Sequence, residues 1–424
     1  MIDRFVNFFS SLWLTTVCLA CAMVLVFAGT MAQVHLGLYG AQAEYFHSFF
    51  VHWTPAGGHA RIPVFPGGWV IGPLLLMNLL AGHIKRFEFS RRKIGLLLAH
   101  AGLILLLAGQ FVTDIFQVES HVRLAAGESS FYSEDNRRNE LVIIDTTDPK
   151  TDKVVSIGES TLAKGGAIQP EGLPLTVSVK KYFVNSQPAG PMSGAGEKLK
   201  ATQGIGQRLL FTAAPEVGRL DDENKPAAVV EISAAGKSLG TWTVSTWLSR
   251  PQLVGALQSE LGGMFGVSLR EPQGFSHDGR HYELALRPAR YYRPYSLTLL
   301  EFRHETYPGT DIPKAFASKV HFTDPARGED RDVVISMNQP LRYHGETFYQ
   351  SSFEPGDRVS ILQVVRNPAS LSPYLACSMV GLGLVIQFLT HLFRFARRRA
   401  GVEAEAARSK PRAKHHELIE KEAA

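Results

Sequence analysis

Residues 96–109 read LLLAHAGLILLLAG, an uncharged apolar run interrupted by a single histidine, His100. A bilayer crossing needs about 20 apolar residues in helical form. With its flanks this stretch supplies them, over Ile94–Thr113. The run just upstream, LLLMNLLAGHIKRF (Leu74–Phe87), carries a second histidine, His83, at its basic end. Two more apolar runs of this kind, Leu12–Gln33 and Leu371–Phe393, bring the expected spans to four, with the second placed at Trp69–His83. The fold class expected is therefore a membrane protein of four transmembrane α-helices, three N-terminal and one C-terminal.

Between the third and fourth spans lies a long block, residues 116–370, charged and punctuated by Gly and Pro, of the composition of a soluble domain. It reads mostly as β. Runs such as ELVIID (Glu140–Asp145), AAVVEIS (Ala227–Ser233) and TWTVSTW (Thr241–Trp247) are rich in β-branched and aromatic residues. Turn signals such as HDG, YPGT and AAGK separate them. A sandwich or an open barrel-like sheet is the natural packing for such strands. Gln252–Leu261 reads as a short helix, and Asn185–Gln207, rich in Gly, Ser and Pro, as a long mobile loop.

Basic residues orient the spans. Lys85, Arg86, Arg91, Arg92 and Lys93 fill the loop between spans two and three, and Arg394, Arg397, Arg398 and Arg399 follow span four, whereas the first loop holds Arg61 alone. The positive-inside rule then puts both termini in the cytoplasm and the large domain outside it. The net charge of +5 reflects these flanks, so it does not argue for nucleic-acid binding. The first run is longer than the apolar core of a leader peptide and reads as a retained span. The tail, 394–424, reads as a solvated or partly helical cytoplasmic extension.

An ionisable group inside a bilayer is costly, and imidazole binds haem iron well. His100, about seven residues past the basic loop, lies on the order of 10 Å into the membrane. It is either an axial ligand or a neutral histidine bonded to a neighbouring helix. His83 is either a second ligand or a side chain reaching for the headgroups. His391, at the basic end of span four, reads as interfacial. Gly102 and Gly109 allow close approach of another helix or of a flat ligand. His35, His47, His52 and His59 lie in or near an aromatic loop (YFHSFFVHW, Tyr45–Trp53) suited to the membrane surface. Cys18, Cys21 and Cys377 all fall within spans, so the large domain has no disulfide framework, and the mid-helix Cys18–Cys21 pair reads as small-residue packing. No Cys-x-x-Cys-His occurs, so the chain carries no covalent c-type haem of its own. No phosphate-binding Gly loop, zinc-protease motif or nucleophile elbow is present.

The hairpin NLLAGHIKRFEFSRRKIGLLLAHAGLILLLAGQFVT (Asn78–Thr113) resembles the second and third spans of the ResB (CcsB) cytochrome c biogenesis family. Three further stretches resemble the same family: FRHETYPGTDIPKAFASKV (Phe302–Val320), SMNQPLRYHGETFYQSSFEPGD (Ser336–Asp357) and VSILQVVRNPA (Val359–Ala369). The resemblance implies a subunit of the system II cytochrome c synthase of the bacterial cytoplasmic membrane, non-catalytic or co-catalytic. It implies a ResC (CcsA)-type membrane partner bearing the Trp-rich haem-handling motif, apocytochrome c as client, and haem b held in transit. It makes His100 the first candidate for an axial haem-iron ligand and His83 the second. A scaffold without a ligand of its own and a membrane-anchored sensor are the competing readings.

Overall fold

The computed structural model describes residues 2–55, 60–86, 93–189, 198–217, 223–265, 269, 272–310, 313–354, 356 and 358–409. His59, Arg91, Arg92 and the tail beyond Ser409 lie outside the described residues. The N-terminal elements are α1 (Ile2–Phe9), α2 (Leu12–Ala41), β1 (Phe50–Trp53), β2 (Ile62–Pro66), α3 (Gly68–Arg86) and α4 (Ile94–Phe116). There follow β3 (Val118–Ala125), β4 (Ser129–Asp145), β5 (Lys153–Gly158), α5 (Glu159–Lys164), β6 (Gly166–Ile168), β7 (Thr176–Phe183), β8 (Ser186–Ala189), β9 (Lys198–Leu199), β10 (Leu210–Ala213), β11 (Ala227–Ala234) and β12 (Lys237–Ser245). The chain continues through α6 (Pro251–Phe265), β13 (Gln273–His277), β14 (Arg280–Thr306), β15 (Pro313–Asp324), β16 (Glu329–Ser336), β17 (Leu341–Tyr343), β18 (Glu346–Phe353) and β19 (Val359–Arg366), and ends in α7 (Ser372–Ser409).

Among the described residues, four helices are long and apolar enough to cross a membrane, falling at Leu12–Phe46, Gly68–Lys85, Ile94–Phe116 and Ser372–Glu405, with the β-rich region between the third and fourth. The first runs past Gln33 because His35–Ala41 remains free of charge and of proline, although Gly37 leaves helical geometry at φ 70°. The last runs on to Ser409 because its Ala-, Arg- and Glu-rich continuation consists of strong helix formers.

The chain forms two compact units. The first comprises residues 1–32, 41–117 and 367–424. Here α4 packs along α7 through a seam of small residues. A Cβ on Gly95 would lie 2.7 Å from the Gln387 nitrogen, one on Gly102 2.8 Å from the Ala376 oxygen, and one on Gly383 2.6 Å from the Ala99 nitrogen. Gly95, Gly102 and Gly109 repeat every seven residues, so they share one face, and backbones approach closely there. The glycine face thus takes a helix, not a flat ligand. On the other side, α3 is tied to the break between α1 and α2 by Asn78. Its amide donates to the carbonyls of Phe9 (2.7 Å) and Ser11 (3.0 Å), and its oxygen accepts from Thr15 at 2.6 Å. The β1–β2 hairpin buries Val51 against Leu25 of α2 and Ile71 of α3.

The second unit comprises residues 33–40 and 118–366. Its ten-stranded sheet follows the order β16-β15-β14-β4-β3-β19-β18-β17, with β13 added to β14 and β5 to β4. One half curls around a core that includes Leu124, Leu297, Phe322, Phe348 and Leu362. The other half faces the four-stranded sheet β12-β11-β7-β6 across a second core of Leu141, Ile143, Val230, Trp242 and Tyr282. Strand β11 is buried on both faces. Val230 and Ile232 enter that core, while Ala227 and Val229 enter a third with Phe211 and Leu257. This explains a continuous apolar run where a one-sided strand would alternate.

The 27-residue β14 serves both halves. Its pairing with β4 slips between Pro288 and Arg290 and again between Tyr292 and Leu297, where Pro288 and Pro294 cannot donate to the ladder. At this bend every arginine meets a carboxylate. Arg287 donates to Glu140 (3.1 Å), Arg290 to Glu134 (2.9 Å) and Arg293 to Glu346 (2.5 Å). Tyr291 donates to Asp135 at 2.6 Å, and its own hydroxyl is pushed up to about 12, first by burial and then by that bond. The expected loop at 185–207 is partly ordered. Ser186–Ala189 and Lys198–Leu199 flank β10 as a small sheet, while residues 190–197 lie outside the described residues. Strands this short carry no readable alternation.

Candidate functional site

Helices α3 and α4 run antiparallel, since His83 meets His100 at one end and Trp69 meets Phe111 at the other. The sequence places His83 about half a turn before Lys85 and His100 about two turns after Lys93, and the hairpin turns them toward each other. Their ring centroids are 6.1 Å apart and their planes 31° from parallel. His100 precedes Gly102 by two residues, about 200° around the helix. The face of α4 that carries it is therefore the one turned away from the α7 seam.

The His100 Nδ1 lies 2.8 Å from the carbonyl oxygen of Leu96, one turn earlier. A carbonyl can only accept, so in this bond Nδ1 carries the proton. In the neutral ring the lone pair then sits on Nε2. Metal-bound histidines are commonly fixed in this way, with one nitrogen donating to a carbonyl and the other facing the metal. The residues present fit a haem iron as cargo on this chemistry. The imidazole is set to a ligating tautomer, a second imidazole faces it with ring centroids 6.1 Å apart, and α4 bears no Asp, Glu, Lys or Arg from Ile94 to Thr113.

His391 stands one turn after Gln387 on α7, the two side-chain nitrogens 2.9 Å apart. His47 and His52 do not converge on the His83–His100 pair. His52 stands on β1 opposite Pro63. His47 lies 3.7 Å from Asp114, near the far end of α4. There the rings of Phe49, Trp69 and Phe111 follow one another at 6.1 and 6.0 Å. Sequence reasoning missed Asn78, Trp69 and Asp114. An asparagine within an apolar run is as costly as a histidine there, and that cost was the available signal. Cys18 and Cys21 are free thiols within α2, Cys18 buried.

The β-rich unit holds a cavity of about 490 Å³ lined by Ile205, Val244, Leu248, Glu283, Arg287 and Arg290, among others. Both arginines are already neutralised by Glu140 and Glu134, so the cavity offers no free cation from β14 to an anionic ligand. Among the described residues no group of three or more His, Cys, Asp or Glu side chains is placed to hold a metal ion.

Residues 253–361, from α6 to β19, match the model of the ResB-like family. This segment includes most of the Phe302–Ala369 stretches and begins well upstream of them, while the His83–His100 hairpin lies outside it. Over 118 residues the chain is 31% identical to protein NrfI of Wolinella succinogenes. The shared stretch is 28% of this chain and 13% of that relative, so the likeness concerns a small part of the relative's length. Residues 253–361 of this chain are thus similar to the ResB-like family.

Proposed function

We propose that this chain is a haem-handling subunit of a membrane complex for cytochrome c maturation, with His100 as an axial ligand to haem iron in transit. The observation that carries the reading is the Nδ1–Leu96 bond of His100, made opposite His83 on a helix with no Asp, Glu, Lys or Arg from Ile94 to Thr113. A haem-handling role suits a ResB-like chain. Basic residues at the loop between α3 and α4 and after α7 orient the His83–His100 end toward the cytoplasm by the positive-inside rule. Haem would then meet this chain on the side where it is made. The bound iron supplies the affinity. The protein supplies the oriented imidazole, the low-dielectric surroundings and a second imidazole to complete or exchange a ligand.

In this reading a ResC-type partner bears the remaining haem-handling groups, and the β-rich domain lies outside the cytoplasm, where it receives apocytochrome c. Its lack of cysteine suits that task, because it adds no thiol to compete with those of the client. Complementation tests the proposal. A strain lacking this chain, given the wild type, makes covalently haem-stained cytochrome c. His100→Ala abolishes the staining and added imidazole restores it. Staining at wild-type level with both His100→Ala and His83→Ala in place would leave the chain a scaffold whose partner owns the ligands.

A further inference from the structure

Strand β16 closes one end of the ten-stranded sheet and pairs with β15, from Glu329 opposite Asp324 to Ser336 opposite Ala317. Its second half is anchored from within. Ile335 is buried in the core with Leu297 and Phe322, and Val333 packs against that core. Its first half, Glu329–Asp332, buries no side chain. An edge segment of that kind is held by its ladder and by cross-strand side-chain pairs.

Those pairs meet at His321 of β15. Asp332 stands directly opposite it, and Asp330 lies two residues away on the same face. The His321 Nδ1 is 2.9 Å from an Asp332 oxygen, and Nε2 is 2.9 Å from an Asp330 oxygen. A carboxylate only accepts, so each ring nitrogen must donate, and the arrangement requires the doubly protonated, cationic ring. Asp332 has a second cation, Lys319, at 2.9 Å. Asp330 has His321 as its one ion-pair partner among the described residues. From β14, on the other side of β15, the neutral Thr298 stands opposite His321 and bonds Ser129 at 2.6 Å. Glu301 and Arg303 follow on β14 and bond each other at 2.8 and 3.0 Å. The bond to Asp332 is the first cause that raises the His321 pKa above the ordinary histidine value; desolvation opposes it, and the charges of Asp330 and Asp332 add to it.

We infer that His321 is a proton-operated latch, which fastens the first half of β16 onto β15 when its ring is charged and frees that sheet edge when the ring is neutral. A group whose folded pKa is raised contributes stability that is fully present below its unfolded value, about 6.5, and lost as pH rises through the folded value. Deprotonation removes one of the two donors and turns a ring lone pair toward a carboxylate. Asp330 and Asp332 then remain charged, two residues apart, with Lys319 bonded to Asp332 alone. Toward acid, Asp332 has its pKa lowered first by Lys319 and then by His321, so its share persists until pH falls through that lowered value. The latch is therefore closed from about pH 4 to about pH 6.5 and opens above. Opening bares backbone N–H and C=O groups of β15, a template for an added strand.

The test is hydrogen exchange read by mass spectrometry on the full-length protein in detergent, at about pH 6 and about pH 8, with rates corrected for intrinsic pH dependence. The segment Glu329–Asp332 exchanges roughly two- to fivefold faster at the higher pH, the range of a surface ion pair, while the inner strand β19 is unchanged. His321→Asn, which cannot take the charge, exchanges fast at both pH values. His321→Arg, a permanent cation with several donors, exchanges slowly at both. Exchange of the His321 ring Cε1–H, followed against pH, places its pKa above about 6.5. Equal protection of Glu329–Asp332 at the two pH values in the wild type, or the wild-type pH response in His321→Asn, contradicts the latch. So does a His321 pKa at or below the ordinary value, or a change in β19 as large as that in β16.

Discussion

His83 and His100 face each other across the α3–α4 hairpin with ring centroids 6.1 Å apart. Two imidazoles on one metal ion, each bound at about 2 Å, place their centroids on the order of 6 Å apart. The pair is therefore spaced to act on one ligand together or to pass it between them. The Nδ1 proton of His100 is committed to Leu96, which leaves its Nε2 lone pair for a ligand. Loss of His83 should weaken haem retention without abolishing it, whereas loss of His100 should abolish it. Haem content of the two purified single variants is the check.

The glycine seam sets the position of α4 and with it that of His100. Gly102→Val would drive side-chain carbons into Ala376 and Val380 of α7. It should destabilise the helix bundle by about 1–3 kcal/mol, the usual cost of overpacking. Gly82→Ala, with nothing within 4 Å of the added carbon, should be near neutral. Thermal unfolding of both variants in detergent distinguishes the seam from a general dislike of glycine replacement.

Asn78 should be worth more than its single side chain suggests. Asn78→Leu removes its bonds to Phe9 O, Ser11 O and Thr15 together. The expected loss is about 1–3 kcal/mol, since acceptors near the α1–α2 break are left unsatisfied. Faster proteolysis of the N-terminal segment in micelles is the readout, and Thr15→Val should show a smaller effect.

Acid should unfold the β-rich unit through its paired carboxylates. Burial alone would raise the Glu346 pKa, but the bonds from Arg293 and Tyr295 outweigh it and hold the carboxyl below its usual range. At Glu354 the Arg123 guanidinium does the same, chiefly through bonds of 2.7 and 2.8 Å. Both folded pKa values lie below the unfolded value of about 4.3. Their stabilisation is thus present above that pH and is lost as pH falls through the folded values. Arg293 and Glu346 side chains are only 5% and 16% exposed, so Arg293→Ala strands a buried charge at a cost of about 3–5 kcal/mol. Denaturation followed through buried Trp242 should show stability falling on acidification below about pH 4, with a shallower fall in Glu346→Gln.

Much of this architecture is legible in the sequence, and the parts that are not have physical reasons. Apolar runs reveal the four helices because a bilayer demands them. Their ends are not set by hydropathy, as α7 shows by running on through Arg- and Ala-rich sequence that is simply helix-forming. His83 and His100 stand out one at a time through the cost of burying them. Their meeting depends on the register of two helices, which neither run encodes alone. His47 and Asp114, and likewise the rings of Phe49, Trp69 and Phe111, come from separate elements, and only the fold brings them near one another. In the β-rich unit HYELALRPARYY (His281–Tyr292) and YSLTLLEFRHETY (Tyr295–Tyr307) read as two runs, yet the fold joins them in the single strand β14, whose prolines mark the bend at which it passes from one core to the other.

The most direct test is the absorption spectrum of the detergent-purified protein, co-expressed with a ResC-type partner, for wild type, His100→Ala and His83→Ala. The account predicts a reduced six-coordinate haem spectrum in the wild type, its loss in His100→Ala and its return on adding imidazole. An unchanged haem spectrum and content in His100→Ala would contradict it and assign the iron ligands to the partner.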